Sequence, residues 1–247
     1  MAPRLAPFAL IVLLAPRPLL PAPPDPQATL DAAREAESSE DDAKAAALYE
    51  QAVREVSQLG ETHELYSSIL FAAASFHELA ERPLEAERLY RILVAALERT
   101  GSMEVVSAYE LLADLLCARK ATDEAKELYA KSVARQAKEA GSEESAEIAN
   151  SYRDLGRCLA AGDRPKEAAA AFARQLQIRE SLHGVGAPST VPALMESAQS
   201  LAASGDAARA RSLLERALEG IDEAQGSQAE LLRPFRKSIE DELAKLP

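Results

Sequence analysis

The stretch AKELYAKSV (residues 125–133) matches two earlier parts of the chain. AERLYRILV begins at residue 86 and AAALYEQAV at residue 45, so the motif Ala-x-x-Leu-Tyr occurs three times. The same frame continues at Ala168 and Ala210, and the five alanines follow one another at intervals of 41, 39, 43 and 42 residues. Such a period is typical of a chain built from stacked supersecondary units.

Two further positions recur with each alanine. Four residues later, one helical turn along the same face, a ring or its aliphatic substitute follows: Tyr49, Tyr90, Tyr129, Phe172 and Leu214. Twelve residues earlier the residue is always small: Ala33, Ala74, Ala113, Gly156 and Ala198. Two antiparallel helices approach closely only where a side chain is nearly absent, and the ring fills the space beside that contact. One hairpin of this kind cannot bury its apolar face alone, so it stacks on the next.

The composition and the residues expected at the helix ends agree with this frame. The apolar residues are mainly Ala and Leu, and no alternating run indicates a strand, so the class is all-α. Glycines that suit helix C-termini follow the second helices at Gly60, Gly101, Gly141 and Gly226. Hydroxyl residues that suit helix N-caps follow three of these glycines: Thr62, Ser102 and Ser142.

The spacing of small residue, alanine and ring resembles the tetratricopeptide repeat. The unit here is longer than the usual length of about 34 residues and is similar to the kinesin-light-chain type. Residues 112–133 and 155–176 carry the likeness best, and residues 179–194 are similar to that family's connector between repeats. The resemblance implies a right-handed α-solenoid of about five helix-turn-helix repeats over residues 26–225. The amphipathic stretch 226–247 breaks the frame and is expected to form a C-terminal capping helix.

Residues 1–25 differ from the rest of the chain. Arg4 precedes an apolar run from Leu5 to Leu14, a Pro-rich tail follows, and no acidic residue occurs before Asp25. This layout predicts a signal peptide or hydrophobic leader, and the run is too short for a membrane span. We therefore expect a periplasmic or secreted protein of a bacterium, without an integral membrane span in the mature chain. An uncleaved anchor or a cytoplasmic protein with a disordered leader is the alternative.

Charge and cysteine content narrow the functions further. The net charge of −12 repels a phosphate backbone, so we expect no nucleic-acid partner. Cys117 and Cys158 lie 41 residues apart; they could pair in an exported protein, but we expect two small buried thiols.

Motifs for catalysis are missing. HELAE at residues 77–81 has Glu81 where a zinc-protease helix needs its second histidine, and no nucleophile elbow or phosphate-binding loop occurs. We therefore expect a non-enzyme without cofactor or metal.

The function expected of such a fold is the binding of a partner protein or peptide in a concave groove lined by the first helices. The exposed positions lie three residues before and one after each small residue: Phe71, Ser75, Glu110, Asp114, Arg153, Arg157, Met195 and Gln199. Arg153 and Arg157, together with Asn150 one turn earlier, form a trio that can hold a carboxylate. Alternatively, they are a charged helix face that pairs with Asp154 or Glu147. For the whole chain, the alternatives to a free scaffold are an accessory or regulatory subunit and a self-assembling structural protein.

Overall fold

The computed structural model describes residues 25–184 and 187–247. The expected leader, residues 1–25, therefore lies outside the described residues except for Asp25. The described part of the chain forms eleven α-helices. They are α1 (Pro26–Ser38), α2 (Asp42–Leu59), α3 (Tyr66–Leu79), α4 (Pro83–Thr100), α5 (Val105–Ala118), α6 (Thr122–Ala140), α7 (Ala146–Ala161), α8 (Pro165–His183), α9 (Thr190–Ala203), α10 (Ala207–Glu223) and α11 (Ser227–Lys245).

The first ten helices pack as five consecutive hairpins, and each second helix also packs on the first helix of the next hairpin. The sequence frame accounts for both contacts. Every small residue and every alanine of the frame is buried, and so are Tyr49, Tyr90, Tyr129, Phe172 and Leu214. The expectation of an all-α solenoid of five helix-turn-helix repeats is confirmed.

The five hairpin turns share one backbone conformation. The residue seven positions after each small residue has a positive φ, and four of these residues are not glycine: Glu40, Glu81, Lys120, Asp163 and Gly205. The amide of the following residue donates to a carbonyl five residues earlier, for example Arg82 N to His77 O at 2.8 Å. This is the arrangement of a Schellman motif. It reverses the chain within three residues and sets the two helices of each hairpin antiparallel.

The helix N-caps expected at Thr62, Ser102 and Ser142 are wrong. The helices begin after Leu65, Glu104 and Ser145, and only Ser145 caps with its side chain, which accepts from the amide of Ile148. Ser102 and Ser142 instead accept from the amides of Glu104 and Glu144, two residues ahead. Because such short-range bonds stabilise turns, the hydroxyl residues support the loops between repeats.

The last helix covers the end of the stack. α11 packs on α10 and α9, and its residues Leu232 and Ile239 are fully buried. They share one apolar cluster with Leu194 of α9 and Leu214 of α10. α11 thus takes the place that the first helix of a sixth repeat would occupy, as a capping helix must.

The junction between repeats three and four is polar. Glu110 Oε1 accepts from Ser132 Oγ at 2.7 Å, from Ser151 Oγ at 2.6 Å and from Gln136 Nε2 at 3.1 Å. Ser132 and Ser151 are buried, so apolar contact between α6 and α7 is reduced here.

A disulfide between Cys117 and Cys158 crosses the same junction. The expectation of two free buried thiols is therefore wrong. The two residues lie at the same ends of α5 and α7, which contact one another directly, and their Cα atoms are 5.3 Å apart. The disulfide thus links the first helices of repeats three and four.

Candidate partner-binding surface

The first helices of three successive repeats converge on one open cleft of about 460 Å³. We call it the Phe71 cleft. Phe71 of α3 is 46% exposed and faces it, and Leu93 and Leu97 of α4 form part of its floor. Its other lining residues come from α1, from α3 and the loop before it, and from the start of α5: Arg34, Glu64, Ser67, Ser68, Ala72, Glu104, Ser107 and Ala108. First helices that share a cleft lie on the inner side of the solenoid, as the groove prediction requires.

A second open cleft, also of about 460 Å³, lies between repeats four and five. Arg157 of α7 and Gln199 of α9 line it, and the ring of Phe172 lies beneath them. Glu196 also lines this cleft and pairs with Arg157 at 2.6 Å. The two clefts thus contain three of the residues that sequence spacing selected: Phe71, Arg157 and Gln199.

The buried tyrosines reach the inner surface with their hydroxyl groups. Tyr49 donates to Glu37 at 2.5 Å, Tyr90 donates to Glu78 at 3.0 Å, and Tyr129 donates to Asp114. Burial raises the pKa of Tyr90 to about 12, and the hydrogen bond to Glu78 adds to this shift. Each tyrosine thus fills the core with its ring and holds a carboxylate of a first helix in place.

These inner carboxylates lie close enough to one another to interact. Partial desolvation raises the pKa of Asp114, and the charges of Asp154, Glu110 and Glu78 raise it further, against the hydrogen bond from Tyr129. Within the described residues, neither Asp114 nor Glu78 has a Lys or Arg nitrogen within 4.0 Å. The inner surface of repeats two and three therefore carries carboxylates that have no ion-pair partner among the described residues.

The outer surface differs. Ion pairs join each second helix to the next one: Glu50–Arg88, Glu98–Lys131, Lys126–Glu167 and Glu180–Arg216. Because these pairs are largely exposed, each contributes little to stability. In contrast to these four pairs, Glu78 and Asp114 on the inner side have no such partner in the described part of the chain.

The structure gives each member of the predicted trio a partner. Arg153 pairs with Asp154 at 3.0 Å, and Arg157 pairs with Glu196 of the next repeat. Asn150 Oδ1 accepts from Arg179 at 2.6 Å. This agrees with the alternative of a paired charged face, although the partner of Arg157 is Glu196 and not a neighbour on its own helix.

Three other predicted positions have structural contacts. Ser75 is half-buried and lies 3.4 Å from the hydroxyl of Tyr90, and Glu110 holds the junction of repeats three and four. Met195 is buried, so the expectation that it is exposed in the groove is wrong. It belongs to the same apolar cluster as Leu232 and Ile239 of α11.

Sequence reasoning missed Glu64 and Glu104 on the rim of the Phe71 cleft. They lie in or beside the loops that precede α3 and α5, outside the helical frame that was used to select positions. The sequence does contain a signal for them, because each is an acidic residue one or two places before a first helix.

The described residues contain no group of three or more His, Cys, Asp or Glu residues placed to hold a metal ion. In residues 25–184 and 187–247, no helix combines the length and apolar character needed to cross a bilayer.

The fold and its inner surface define a helical-repeat solenoid. Residues 104–181 match the family model of the tetratricopeptide repeat, which covers α5 to α8. This stretch therefore consists of tetratricopeptide repeats, and the hairpins on either side have the same fold. The sequence has no significant match among curated proteins.

Solved structures share this fold. One is a protein of nearly identical TPR-like repeats from Podosopora anserina, described as a kinesin light chain; it is 23% identical, with 81% of this chain and 97% of that chain covered and a TM-score of 0.64. BtubC (BKLC) from P. vanneervenii is 20% identical over 78% of this chain and 80% of that chain, with a TM-score of 0.61. YrrB, described as a TPR protein with an unusual peptide-binding site, is 16% identical over 86% and 92%, with a TM-score of 0.54.

Proposed function

We propose that the chain is a non-catalytic interaction scaffold that holds a segment of a partner protein along the inner surface of its solenoid. The observation that carries this proposal is the Phe71 cleft. Three successive repeats build it, and an aromatic ring lies 46% exposed on its wall. Exposed aromatic residues in a cleft are typical anchors of protein interfaces.

The proposed contact residues are the accessible members of the predicted set. They lie along four first helices: Phe71, Ser75, Asp114, Arg153, Arg157 and Gln199. The fold is shared with YrrB, which is described as having a peptide-binding site, and this supports a peptide or an extended segment as the bound element. A scaffold of this kind could equally serve as a subunit of a larger complex. End-to-end assembly at the C-terminal end has less support because α11 covers that end.

We also propose that the protein is exported to the periplasm or secreted, with residues 1–25 as its signal peptide or leader. Two independent observations support export. The sequence of residues 1–25 has the layout of a leader, and the disulfide between Cys117 and Cys158 is of a kind that persists in oxidising compartments. Sequencing the N-terminus of protein isolated from its own cells tests this proposal: a mature chain that starts between residues 16 and 27 supports it, and a start at residue 1 or 2 contradicts it.

Site-specific photo-cross-linking in the native cells tests the scaffold proposal. A photoreactive amino acid is placed at Ser75 or Gln199 on the inner side, and at Glu127 or Glu215 on second helices as matched outer controls. We expect the same partner to be linked from both inner positions and from neither outer position. A partner linked only from the outer positions, or no partner from any position, would contradict the proposal.

A further inference from the structure

The Phe71 cleft combines an apolar floor with an acidic rim. Phe71 offers exposed carbon surface beside the buried side chains of Leu93 and Leu97, and the carboxylates of Glu64 and Glu104 flank it. Arg34, the one cation among the lining residues, lies 3.9 Å from Asp31. Among the described residues, neither rim glutamate has a cationic nitrogen within 4.0 Å. An apolar group that enters this cleft therefore meets two carboxylates without a counter-ion.

The negative charge continues along the inner surface beyond the cleft. Glu78 follows on α3 and Asp114 on α5, each held by a tyrosine hydroxyl. These hydroxyls orient the carboxylates without neutralising them. On the outer side, carboxylates at four contacts between second helices have a Lys or Arg beside them, as in the pair of Glu98 and Lys131 at 3.0 Å. Glu78 and Asp114 are therefore open to a cation from another molecule.

We propose that the Phe71 cleft receives a basic segment of the partner, in which an apolar side chain packs on Phe71 between flanking lysine or arginine residues. This inference rests on the proposed scaffold function and specifies its partner. The apolar side chain supplies buried area. The flanking cations meet Glu64 and Glu104 at the rim and Glu78 and Asp114 farther along the surface, which gives charge complementarity.

Selection from a displayed library of random dodecapeptides on the full chain tests the inference. We expect enriched peptides to carry a net positive charge, with a Leu, Met or aromatic residue between Lys or Arg residues. Enrichment of acidic or neutral peptides, or no enrichment, would overturn it.

Variants distinguish binding in the cleft from a general attraction of basic peptides to the acidic chain. The double variant Glu64→Gln/Glu104→Gln should weaken binding of the best enriched peptide roughly two- to twentyfold at low salt and make it less sensitive to salt. Phe71→Ala should weaken it about tenfold through lost apolar contact. Glu215→Gln/Glu219→Gln makes the same change in net charge on the outer helix α10 and should leave the affinity within about twofold. Equal losses in the two glutamate pairs would overturn the inference.

The two proposals fail in different ways. If native partners are cross-linked from Ser75 and Gln199 but their bound segments are acidic or neutral, the scaffold stands and the basic-segment inference falls. If enriched basic peptides bind the cleft while no native partner is cross-linked from the inner side, the scaffold proposal falls. Circular dichroism of each variant confirms that a lost interaction does not come from a lost fold.

Discussion

Gly156 and Phe172 meet at the centre of repeat four, where a Cβ atom on Gly156 would lie 2.6 Å from Cε1 of Phe172 and 2.8 Å from two further ring atoms. The other four repeats have alanine at the first of these positions, and their second residue is Tyr or Leu. In repeat four the ring lies across the backbone of α7, so only glycine leaves room for it.

The variant Gly156→Ala should therefore lower the free energy of unfolding by roughly 1–2 kcal/mol. Overpacking costs about 1–3 kcal/mol, and the better helix propensity of alanine offsets part of it. Phe172→Leu reproduces the pair found in repeat five, Ala198 with Leu214, and should restore much of the loss when it is combined with Gly156→Ala. Urea denaturation of the two single variants and the double variant measures this coupling. A Gly156→Ala protein as stable as the original would contradict the packing described here.

Lys120 has a φ of 62° in the turn between α5 and α6. A left-handed conformation is unfavourable for residues with a Cβ atom, and glycine adopts it without this cost. We expect Lys120→Gly to raise the free energy of unfolding by roughly 0.5–1 kcal/mol. Lys126→Gly, inside α6, is the matched control and should lower it by about 1 kcal/mol. If both variants were destabilised alike, the turn would not have the conformation that all five hairpins share.

The disulfide between Cys117 and Cys158 joins residues 41 positions apart across the polar junction of repeats three and four. Replacing both cysteines with serine should cost about 2–4 kcal/mol, because the cross-link restricts the unfolded chain. Denaturation with and without a thiol reductant checks this: the original protein should weaken on reduction, and the Cys117→Ser/Cys158→Ser variant should not respond. A reductant-insensitive original protein would show that the disulfide does not contribute to stability.

Repeat architecture was accessible from the sequence because it depends on local periods. The alanine and the ring lie one turn apart on the second helix, and a fixed number of residues separates them from the small residue of the first helix. The positions of Ala125, Tyr129 and Ala113 in the sequence therefore predict that these three residues are buried between the two helices. The contacts that were missed depend on the stacking of different repeats. Cys117 and Cys158 are neighbours because α5 and α7 are in contact, and Met195 is buried in a cluster formed by several helices, α11 among them.

For the candidate surface, too, contacts within one helix were predictable and contacts between repeats were not. Helical spacing selected Phe71, Arg157 and Gln199, and these three residues line the two open clefts. It could not find Glu64 and Glu104, which reach the same cleft from loops, nor the Glu196 partner of Arg157, which comes from the next repeat. Turn conformations were missed because Glu40, Glu81 and Lys120 adopt positive φ without the glycine that usually marks it.

His77 links stability to pH. It is 3% exposed between α3 and its neighbours, and neither ring nitrogen has a hydrogen-bond partner among the described residues; Nε2 lies 3.7 Å from Glu50. Burial lowers the pKa of His77 below its usual value of 6.5, and Arg82 and Arg88 lower it further, while Glu50 and Glu85 act in the opposite direction. The folded protein therefore binds a proton at His77 less readily than the unfolded chain does.

Because the unfolded state binds more protons, stability should be fully present above about pH 7 and should fall as pH drops through 6.5. The decrease from one such group is at most about 1.4 kcal/mol per pH unit. Urea denaturation between pH 7.5 and 5.5 measures it, with His77→Gln expected to flatten the dependence. His183→Gln, at an exposed position at the end of α8, is the control and should leave the slope unchanged. An unchanged slope in His77→Gln would contradict the assignment.

Arg153 and Arg157 provide the last prediction, because each neutralises a carboxylate of the inner surface. Arg153 pairs with Asp154 and Arg157 with Glu196, and the arginine side chains are 33% and 60% exposed. The double variant Arg153→Ala/Arg157→Ala should cost less than about 1 kcal/mol in stability, as exposed pairs contribute little. It frees two carboxylates, Asp154 and Glu196, so the negative surface of repeats two and three would extend into repeats four and five.

A basic peptide selected on the Phe71 cleft should then bind at least as tightly as before and should become more sensitive to salt. Arg88→Ala/Arg209→Ala removes two paired arginines from the outer helices α4 and α10 and serves as the control with the same change in net charge. Fluorescence polarisation over a salt series compares the two. The same variants tested on the native partner show whether the two arginines also contact it: loss of capture in Arg153→Ala/Arg157→Ala alone assigns them to a carboxylate of that partner, as their spacing on α7 first indicated.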